Sequence, residues 1–225
     1  YKLNMTTVVF DESFAGYTDL NTTSGWFEDC QRITSISGVE NLKTANVTDM
    51  SSMFKGCNVA SLDLSSFNTA KVRDMNNMFY GCSELTSLNL NSFNTEEVLN
   101  MSSMFESCSG LTELIISNFN TSSVTNMNGM FSNCYSLTNI DVSHFNTSKV
   151  TDMGGLFNNC RVLESINLGS FNTANVTTML IMFSECKALT TLDLSSFNTS
   201  KVENMKLMFN GCNNLKTIYV GDAWS

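Results

Sequence analysis

One cysteine recurs about every 26 residues along this chain. The spacings between consecutive cysteines are 27, 25, 26, 26, 26, 26 and 26 residues, and the residues around each cysteine repeat with it. A fixed period of this length is typical of a solenoid, whose units bury their apolar faces only by stacking on one another. The period therefore predicts a single repeat domain within the 225 residues. The cysteines are Cys30, Cys57, Cys82, Cys108, Cys134, Cys160, Cys186 and Cys212.

Each unit contains two apolar periodicities, which are clear in residues 85–108. Leu88 and Leu90 alternate with polar residues, and this period of two predicts a short strand with one buried face. From Val98 to Cys108 the apolar residues recur at spacings of three and four, which predicts a short helix. A residue of the N-cap type stands before the first Met in successive units, so the helix is expected to start there and to run to the cysteine. These residues are Asp49, Asp74, Asn100, Asn126, Asp152, Thr178 and Asn204.

A Phe-Asn-Thr corner lies between the strand and the helix, as at Phe93. Stacking these coils at the strand spacing of about 4.8 Å gives a continuous parallel sheet on one side. We therefore predict an α/β, leucine-rich-repeat-like solenoid. Its parallel strands are expected on the concave face and its short helices on the convex face, because helices are bulkier than strands. Columns of Phe, Met, Leu and Cys are expected to fill the interior.

The domain boundaries follow from where the period holds. We expect residues 1–25 to form an N-terminal cap, residues 26–220 to form the solenoid, and residues 221–225 to be a truncated C-terminal end. Within the cap, residues 6–10 are predicted as a short strand and Asp11 as the N-cap of a turn or short helix. A start at Tyr1 with no recognisable leader is what we expect of a mature or excised fragment.

The cysteines are predicted to be free. Side chains at equivalent positions of stacked units point the same way, whereas a disulfide needs two Cβ vectors that face each other. We therefore expect eight buried thiols that act as small hydrophobic residues. A bridge between some of them, or a metal site, is the alternative.

Composition excludes several classes of function. The formal net charge is −9 and the 12 basic residues are scattered, which argues against a nucleic-acid partner. Without a run of about 18 apolar residues, this segment is not expected to insert into a membrane. His144 is the only histidine, and phosphate loops, Cys-x-x-Cys pairs and His-Glu metal motifs are missing from the sequence. We therefore predict no enzyme, no catalytic residue, no metal site and no cofactor.

Exposed strand positions are the candidate binding site. Ile115 and Tyr219 place apolar or aromatic groups where other units have Asp or Asn, and such residues often anchor a protein partner. Drift at a tolerant position is the alternative explanation. The aligned carboxylates and amides could instead hold calcium, although no calcium-loop motif is present. The predicted ligand-binding residues are Asp63, Asn89, Glu113, Ile115, Asn139, Asp141, Asn167, Asp193 and Tyr219.

The repeat also resembles a known family. The unit Cys-x-x-Leu-Thr-x-Leu-Asp-Leu-Ser-x-Phe-Asn-Thr-x-x-Val-x-x-Met-x-x-Met-Phe is similar to the 26-residue repeat of BspA-type leucine-rich-repeat bacterial surface proteins, which is also seen in mycoplasma-type surface lipoproteins. The similarity extends over residues 26–220. It implies export, display on the bacterial cell surface, and adhesion or host-protein binding without a shared catalytic motif.

From the residues and the resemblance together we expect an extracellular, noncatalytic binding module. It would recognise a protein or glycan of a host or neighbouring cell through the concave face of the solenoid, and it would act as a monomer. The alternative is a passive structural spacer, or a surface scaffold that varies antigenically.

Overall fold

The strands of successive coils pair in parallel, as the repeat predicts. The computed structural model describes residues 4–224. Its six strands are β1 Thr7–Val9, β2 Ser35–Ser37, β3 Ser87–Asn89, β4 Glu113–Ile115, β5 Thr191–Leu194 and β6 Thr217–Val220, and short 3-10 helices span Glu12–Gly16, Val39–Asn41 and Thr44–Asn46. β1 pairs with β2, β3 with β4, and β5 with β6, in each case parallel. Each of these pairs joins neighbouring coils.

A second ladder of backbone contacts joins the coils through what we call the turn segment, residues 100–108 and their equivalents. Parallel bridges run without a break from Thr22 to Asn204, one per coil. N–H groups at alternate positions donate to carbonyl oxygens of the next coil, as Met101 N–H does to Asn126 (3.0 Å). Stacking on two sides by backbone hydrogen bonds confirms the predicted leucine-rich-repeat-like solenoid.

The helix predicted in each unit was wrong, because the turn segment is a run of tight turns. Met104 N–H donates to Met101 O and Cys108 N–H to Phe105 O, three residues back rather than four. Ser103 has a φ of 53°, which no α-helix accommodates. Apolar spacings of three and four fit a helix or a run of turns equally well. The next coil decides between them, because its carbonyl groups accept the N–H groups that a helix would use internally.

The predicted N-cap residues nevertheless make the hydrogen bond expected of them. Asn100 Oδ1 accepts from Ser102 N–H at 3.0 Å, and Asp152 Oδ1 accepts from Gly154 N–H at 2.8 Å. The side chain thus opens a turn instead of a helix. The expected curvature rested on helices that are bulkier than strands, and the turn segments contain no such helices. Backbone hydrogen bonds set the distance between coils on both sides. Which face is concave stays a prediction.

The interior consists of the predicted columns. Phe79 and Phe105 stack with ring centroids 5.7 Å apart and planes 1° from parallel, and the corner residues Phe67 and Phe93 stack at 6.4 Å. The Val, Met and Phe side chains of the middle coils are fully buried. Because each ring packs on the equivalent ring of the next coil, no unit has a complete core of its own.

All eight cysteines are free, as predicted, and six of them are buried. Their role goes beyond that of a small hydrophobic residue. Each thiol from the second coil onward donates a hydrogen bond to a Phe carbonyl oxygen of the preceding coil, at Sγ–O distances of 2.9–3.2 Å. Cys30 and Cys212, at the two ends of the column, are only half-buried.

The corner contains a buried hydroxyl ladder that the sequence analysis missed. Thr147 Oγ1 donates to Asn172 O (2.9 Å) and accepts from Asn172 N–H (2.8 Å), so one hydroxyl satisfies both backbone groups of the next corner. The neighbouring Asn146 Oδ1 accepts from Ser148 N–H within its own corner. Equivalent inter-coil bonds are donated by Thr44, Thr69, Thr95, Thr121 and Thr173.

The N-terminal residues lie against the first coils. Asp11 Oδ1 accepts from Ser13 N–H at 2.9 Å, which confirms Asp11 as an N-cap of a short helix, here the 3-10 helix Glu12–Gly16. The Phe10 ring meets Phe14 edge to face and contacts Trp26 and Phe27 at centroid distances of 6.2 and 6.1 Å. The boundary at residue 25 and the truncated end at residues 221–225 stay predictions.

Candidate functional site

The predicted binding residues lie on what we call the strand face, the exposed side of the strand positions. Asn89 is directly opposite Ile115 in the β3–β4 register, and Asp193 is opposite Tyr219 in β5–β6. Glu113 neighbours Ser87 in the same way. The remaining predicted residues are exposed at the equivalent positions of other coils. They are Asp63, Asn139, Asp141 and Asn167.

The polar residues of this face have a structural role. Asn89 Oδ1 accepts from Asn91 N–H at 3.0 Å, so the side chain holds the turn that follows the strand. Asp141 and its hydrogen-bond partner Ser143 repeat this arrangement, and the hydroxyl and N–H of Ser143 together lower the pKa of the Asp141 carboxyl. The other turn-holding side chains of the face are Asp63, Asn167 and Asp193.

Ile115 and Tyr219 cannot make this hydrogen bond. Within residues 4–224, the Ser117 N–H that an Asn or Asp at 115 would receive has no acceptor. Ile115 and its neighbour Leu114 are half-buried, and Tyr219 is 57% exposed. Both substitutions therefore remove a turn contact and present an apolar surface in the same column. Both positions were predicted from the sequence, whereas the hydrogen bond that they replace was not.

A shallow polar groove separates two coils of the strand face. It has a volume of about 370 Å³, and both the carboxylate of Asp63 and the amide of Asn89 line it. The lining residues are Ser61, Leu62, Asp63, Ser65, Ser87, Asn89, Asn91 and Ser92. Hydroxyls, amides and one carboxylate can hydrogen-bond to a polar ligand here but provide no aromatic platform.

The calcium alternative has little geometric support. Asp141 Oδ1, Asn167 Oδ1 and Asp193 Oδ1 each receive a backbone N–H of the following turn. Over the part of the chain that the structure describes, no three His, Cys, Asp or Glu side chains converge on a possible metal position. The aligned column therefore acts on its own backbone.

His144 has a local structural contact. Its Nε2 lies 3.1 Å from the carbonyl oxygen of Ile116 in the preceding coil, and its ring meets Phe145 edge to face at 5.1 Å. Together these contacts hold the imidazole between two coils at the corner. The side chain therefore helps to join coils, next to the strand face.

A second depression, on the turn side, was missed by the sequence analysis. Gly129, Gly154 and Gly155 stand where other coils have larger residues, and they leave a hollow of about 470 Å³. Asn128 Nδ2 donates to Asp152 Oδ1 across it at 3.0 Å. The signal was present in the sequence, as glycines in columns that other units fill with larger residues, most often Ser or Asn. The further lining residues are Glu106, Ser132, Asn133, Asn158, Thr178, Leu180 and Ile181.

No helix within residues 4–224 combines the length and the apolar character needed to cross a bilayer.

Comparison with known proteins gives one family match. The family model described as "Mycoplasma protein of unknown function, DUF285" matches residues 21–135 and again residues 111–224. No curated protein matches the chain.

Among solved structures the chain is similar to several leucine-rich-repeat proteins. A leucine-rich repeat protein from Bacteroides ovatus is 16% identical, with 96% of this chain and 56% of that chain covered and a TM-score of 0.47. An LRR protein of Leptospira interrogans is 10% identical, with 96% and 64% covered and a TM-score of 0.36. A leucine rich cell surface protein from Faecalibacterium prausnitzii is 14% identical, with 98% and 89% covered and a TM-score of 0.27. The chain thus spans less than two thirds of the first two proteins.

Proposed function

This chain belongs to the family described as "Mycoplasma protein of unknown function, DUF285", and on that premise we propose that it is a noncatalytic binding module displayed on the outside of a bacterial cell. The match confirms the resemblance to the 26-residue repeat family that includes mycoplasma-type surface proteins. The proposed ligand is a protein or glycan of a host or neighbouring cell, bound at the strand face.

One observation carries the proposal, namely the pairing of Asn89 with Ile115. Asn89 holds its turn through Oδ1, whereas Ile115 forgoes that hydrogen bond and leaves the Ser117 N–H without an acceptor among the described residues. A residue that breaks a local structural rule without a visible gain in stability marks a position where function is expected. Ile115 and the half-buried Leu114 offer a partner an apolar contact within a polar face.

The arrangement of the remaining groups supports binding rather than catalysis. The interior is occupied by stacked Phe, Met, Val and Cys columns, so any catalytic group would have to lie on the outer surface. There, the Asp and Asn side chains of the strand face hold turns, and His144 contacts a backbone carbonyl. We accordingly assign no catalytic role to any residue of the strand face.

The test separates folding from binding. Ile115→Asn restores the turn-holding amide, so we expect the variant to be at least as stable as the wild type but to bind less. Labelled wild type, Ile115→Asn and the control Val162→Asn, an exposed aliphatic residue (38%) away from the strand face, are titrated onto intact host cells. Protease and glycosidase treatment of the cells distinguishes a protein ligand from a glycan. Binding that does not saturate, or that Ile115→Asn leaves unchanged, contradicts the proposal.

The alternative function is a rigid spacer. The turn-segment ladder runs unbroken from Thr22 to Asn204, and such a continuous array resists bending. A spacer predicts that no exposed substitution changes function, while deletion of one 26-residue coil does. Comparing a variant that lacks residues 163–188, a coil that does not contain Ile115, with Ile115→Asn in the same cell-binding assay distinguishes the two functions.

A further inference from the structure

The backbone hydrogen bonds between turn segments all point in one direction, opposite to that of the thiol bonds. At every junction the earlier coil donates its backbone N–H groups, as Met179 N–H does to Asn204 O and Ile181 N–H to Lys206 O. The peptide dipoles of each column are therefore aligned along the stack, as they are in a helix. The carbonyl ends point towards the N-terminal end of the solenoid, which makes that end the negative one.

The first coil exposes a row of carbonyl groups as a result. In the described part of the chain, four carbonyl oxygens of residues 22–28 accept no hydrogen bond, although their equivalents in the second coil, such as Asp49 and Ser51, each accept one from the first coil. These groups, which we call the acceptor edge, are spaced two residues apart and suit the N–H groups of an extended peptide. They are the carbonyls of Thr22, Ser24, Trp26 and Glu28.

An aromatic cup lies beside the acceptor edge, at the same end of the solenoid. It encloses about 360 Å³ and its wall is almost entirely apolar. Tyr17 and Phe14 are 55% and 39% exposed, so ring surfaces are open to solvent. The residues that form the cup are Met5, Val8, Phe10, Phe14, Tyr17, Trp26 and Phe27. Aromatic faces carry negative electrostatic potential and attract Arg and Lys side chains.

Charge favours the same kind of ligand. Residues 4–31 contain five acidic side chains and no basic one, and the basic residue Arg32 follows directly. Glu28 is paired with Lys55 at 2.8 Å, and hydrogen bonds from Ser13 lower the pKa of Asp11, which keeps this carboxylate ionised. Carboxylates beside a row of carbonyl groups give this end a negative potential, which favours a cationic ligand over a neutral or anionic one.

We propose that the N-terminal end of the solenoid binds an extended, basic segment of a partner protein. Its backbone N–H groups pair with the acceptor edge, and an Arg or Lys side chain enters the aromatic cup. This surface is separate from the strand face and does not depend on it. A second copy of this chain, whose last coil carries Lys201, Lys206 and Lys216, is the competing occupant.

Fluorescence of Trp26 reports on the site directly. The chain has two tryptophans, so a Trp224→Phe background isolates Trp26. The probe is the blocked peptide acetyl-Ser-Val-Arg-Val-Ser-amide, with Met or Glu in place of Arg as matched peptides and a backbone N-methylated Arg peptide as a further control. We expect the Arg peptide to bind about tenfold more tightly than the Met peptide. Added salt and N-methylation of the backbone are each expected to lower the affinity of the Arg peptide.

Matched protein variants test the location. Tyr17→Ser is expected to lower the affinity for the Arg peptide about tenfold. Tyr219 is an equally exposed tyrosine on the last strand, and Tyr219→Ser is expected to leave this affinity unchanged. Equal affinity for the Met peptide would show an apolar cup without cation selectivity and overturn the proposal. So would equal effects of the two Tyr variants. A Trp26 signal that changes on dilution without peptide would assign the site to a second copy instead.

Discussion

The thiol of Cys108 donates a hydrogen bond to the carbonyl oxygen of Phe79 in the preceding coil, with an Sγ–O distance of 3.0 Å. The same oxygen accepts Cys82 N–H within its own coil. One carbonyl thus closes a turn and joins two coils. Repetition of this contact along the stack explains why the cysteine can be present in every unit without forming a disulfide.

Cys108→Ala is expected to destabilise the protein by about 1–3 kcal/mol. The substitution removes buried side-chain volume and the hydrogen bond from the thiol to the Phe79 carbonyl oxygen. Cys30→Ala is the matched control, since Cys30 is half-buried and its thiol donates no hydrogen bond among the described residues. Urea unfolding of both variants measures the difference. Equal losses would show that the thiol contact contributes nothing beyond packing.

Alkylation of the native protein should begin at the ends of the cysteine column. Burial raises the pKa of the Cys108 and Cys160 thiols to about 12, and the thiolate is the form that reacts. At pH 8 their thiolate population is therefore lower by about 10³-fold than that of a free cysteine. Mass spectrometry after brief iodoacetamide treatment should find Cys30 and Cys212 modified first. Early labelling of Cys108 would contradict the structure.

Thr147→Val should lower the free energy of unfolding by about 1–3 kcal/mol, because it leaves the N–H and C=O groups of Asn172 without their shared partner in a partly buried corner. Thr151→Val is the control, since its hydroxyl donates to Thr125 O at an exposed position, and a change within about 0.5 kcal/mol is expected. Chemical denaturation ranks the two variants. The reverse order would disprove a stabilising role for the hydroxyl ladder.

Ile181→Asn should stabilise the protein by about 1 kcal/mol, because a β-branched residue is strained at positive φ and asparagine is not. Ile181 has a φ of 51°, and the equivalent positions of other coils hold Ser52, Asn77, Ser103, Gly129, Gly155 and Leu207, none of which is β-branched. Thermal unfolding provides the measurement. A lower melting temperature would mean that the contacts of the Ile181 side chain outweigh its backbone strain.

Acid should weaken the turns of the strand face. Hydrogen bonds from Ser65, Ser143 and Ser195 lower the pKa of Asp63, Asp141 and Asp193. A lowered pKa in the folded state means that the ionised side chains stabilise the fold above the unfolded value of about 3.9. This stabilising contribution is lost as the pH falls through the pKa values of these carboxyl groups in the folded state.

The melting temperature should therefore be level near neutral pH and decline below about pH 4. The triple Asp→Asn variant of Asp63, Asp141 and Asp193 keeps an acceptor oxygen at each position without a titratable group. Its decline in acid should be smaller than that of the wild type. Identical profiles would place the acid sensitivity elsewhere.

Much of the architecture could be predicted from side chains alone. The positions of Phe105, Met101 and Cys108 recur with the period, and a buried column is the arrangement that lets each find its equivalent in the next coil. The exposed strand column was also predictable, since alternation of period two fixes which side chains face outward. The thiol and hydroxyl ladders were not predictable in this way, because their acceptors are backbone groups about one period distant in the sequence.

The sequence by itself determined the period, the content of the interior and the identity of the residues that break the exposed column. Only the tertiary structure decided that residues 100–108 form turns rather than a helix, and therefore that the alternate N–H groups which join the coils all point the same way. The physical reason is that apolar spacing constrains which side chains are buried but leaves backbone donors free to pair within a coil or between coils. Stacking at the strand spacing selects pairing between coils, and that choice gives the solenoid its two unlike ends.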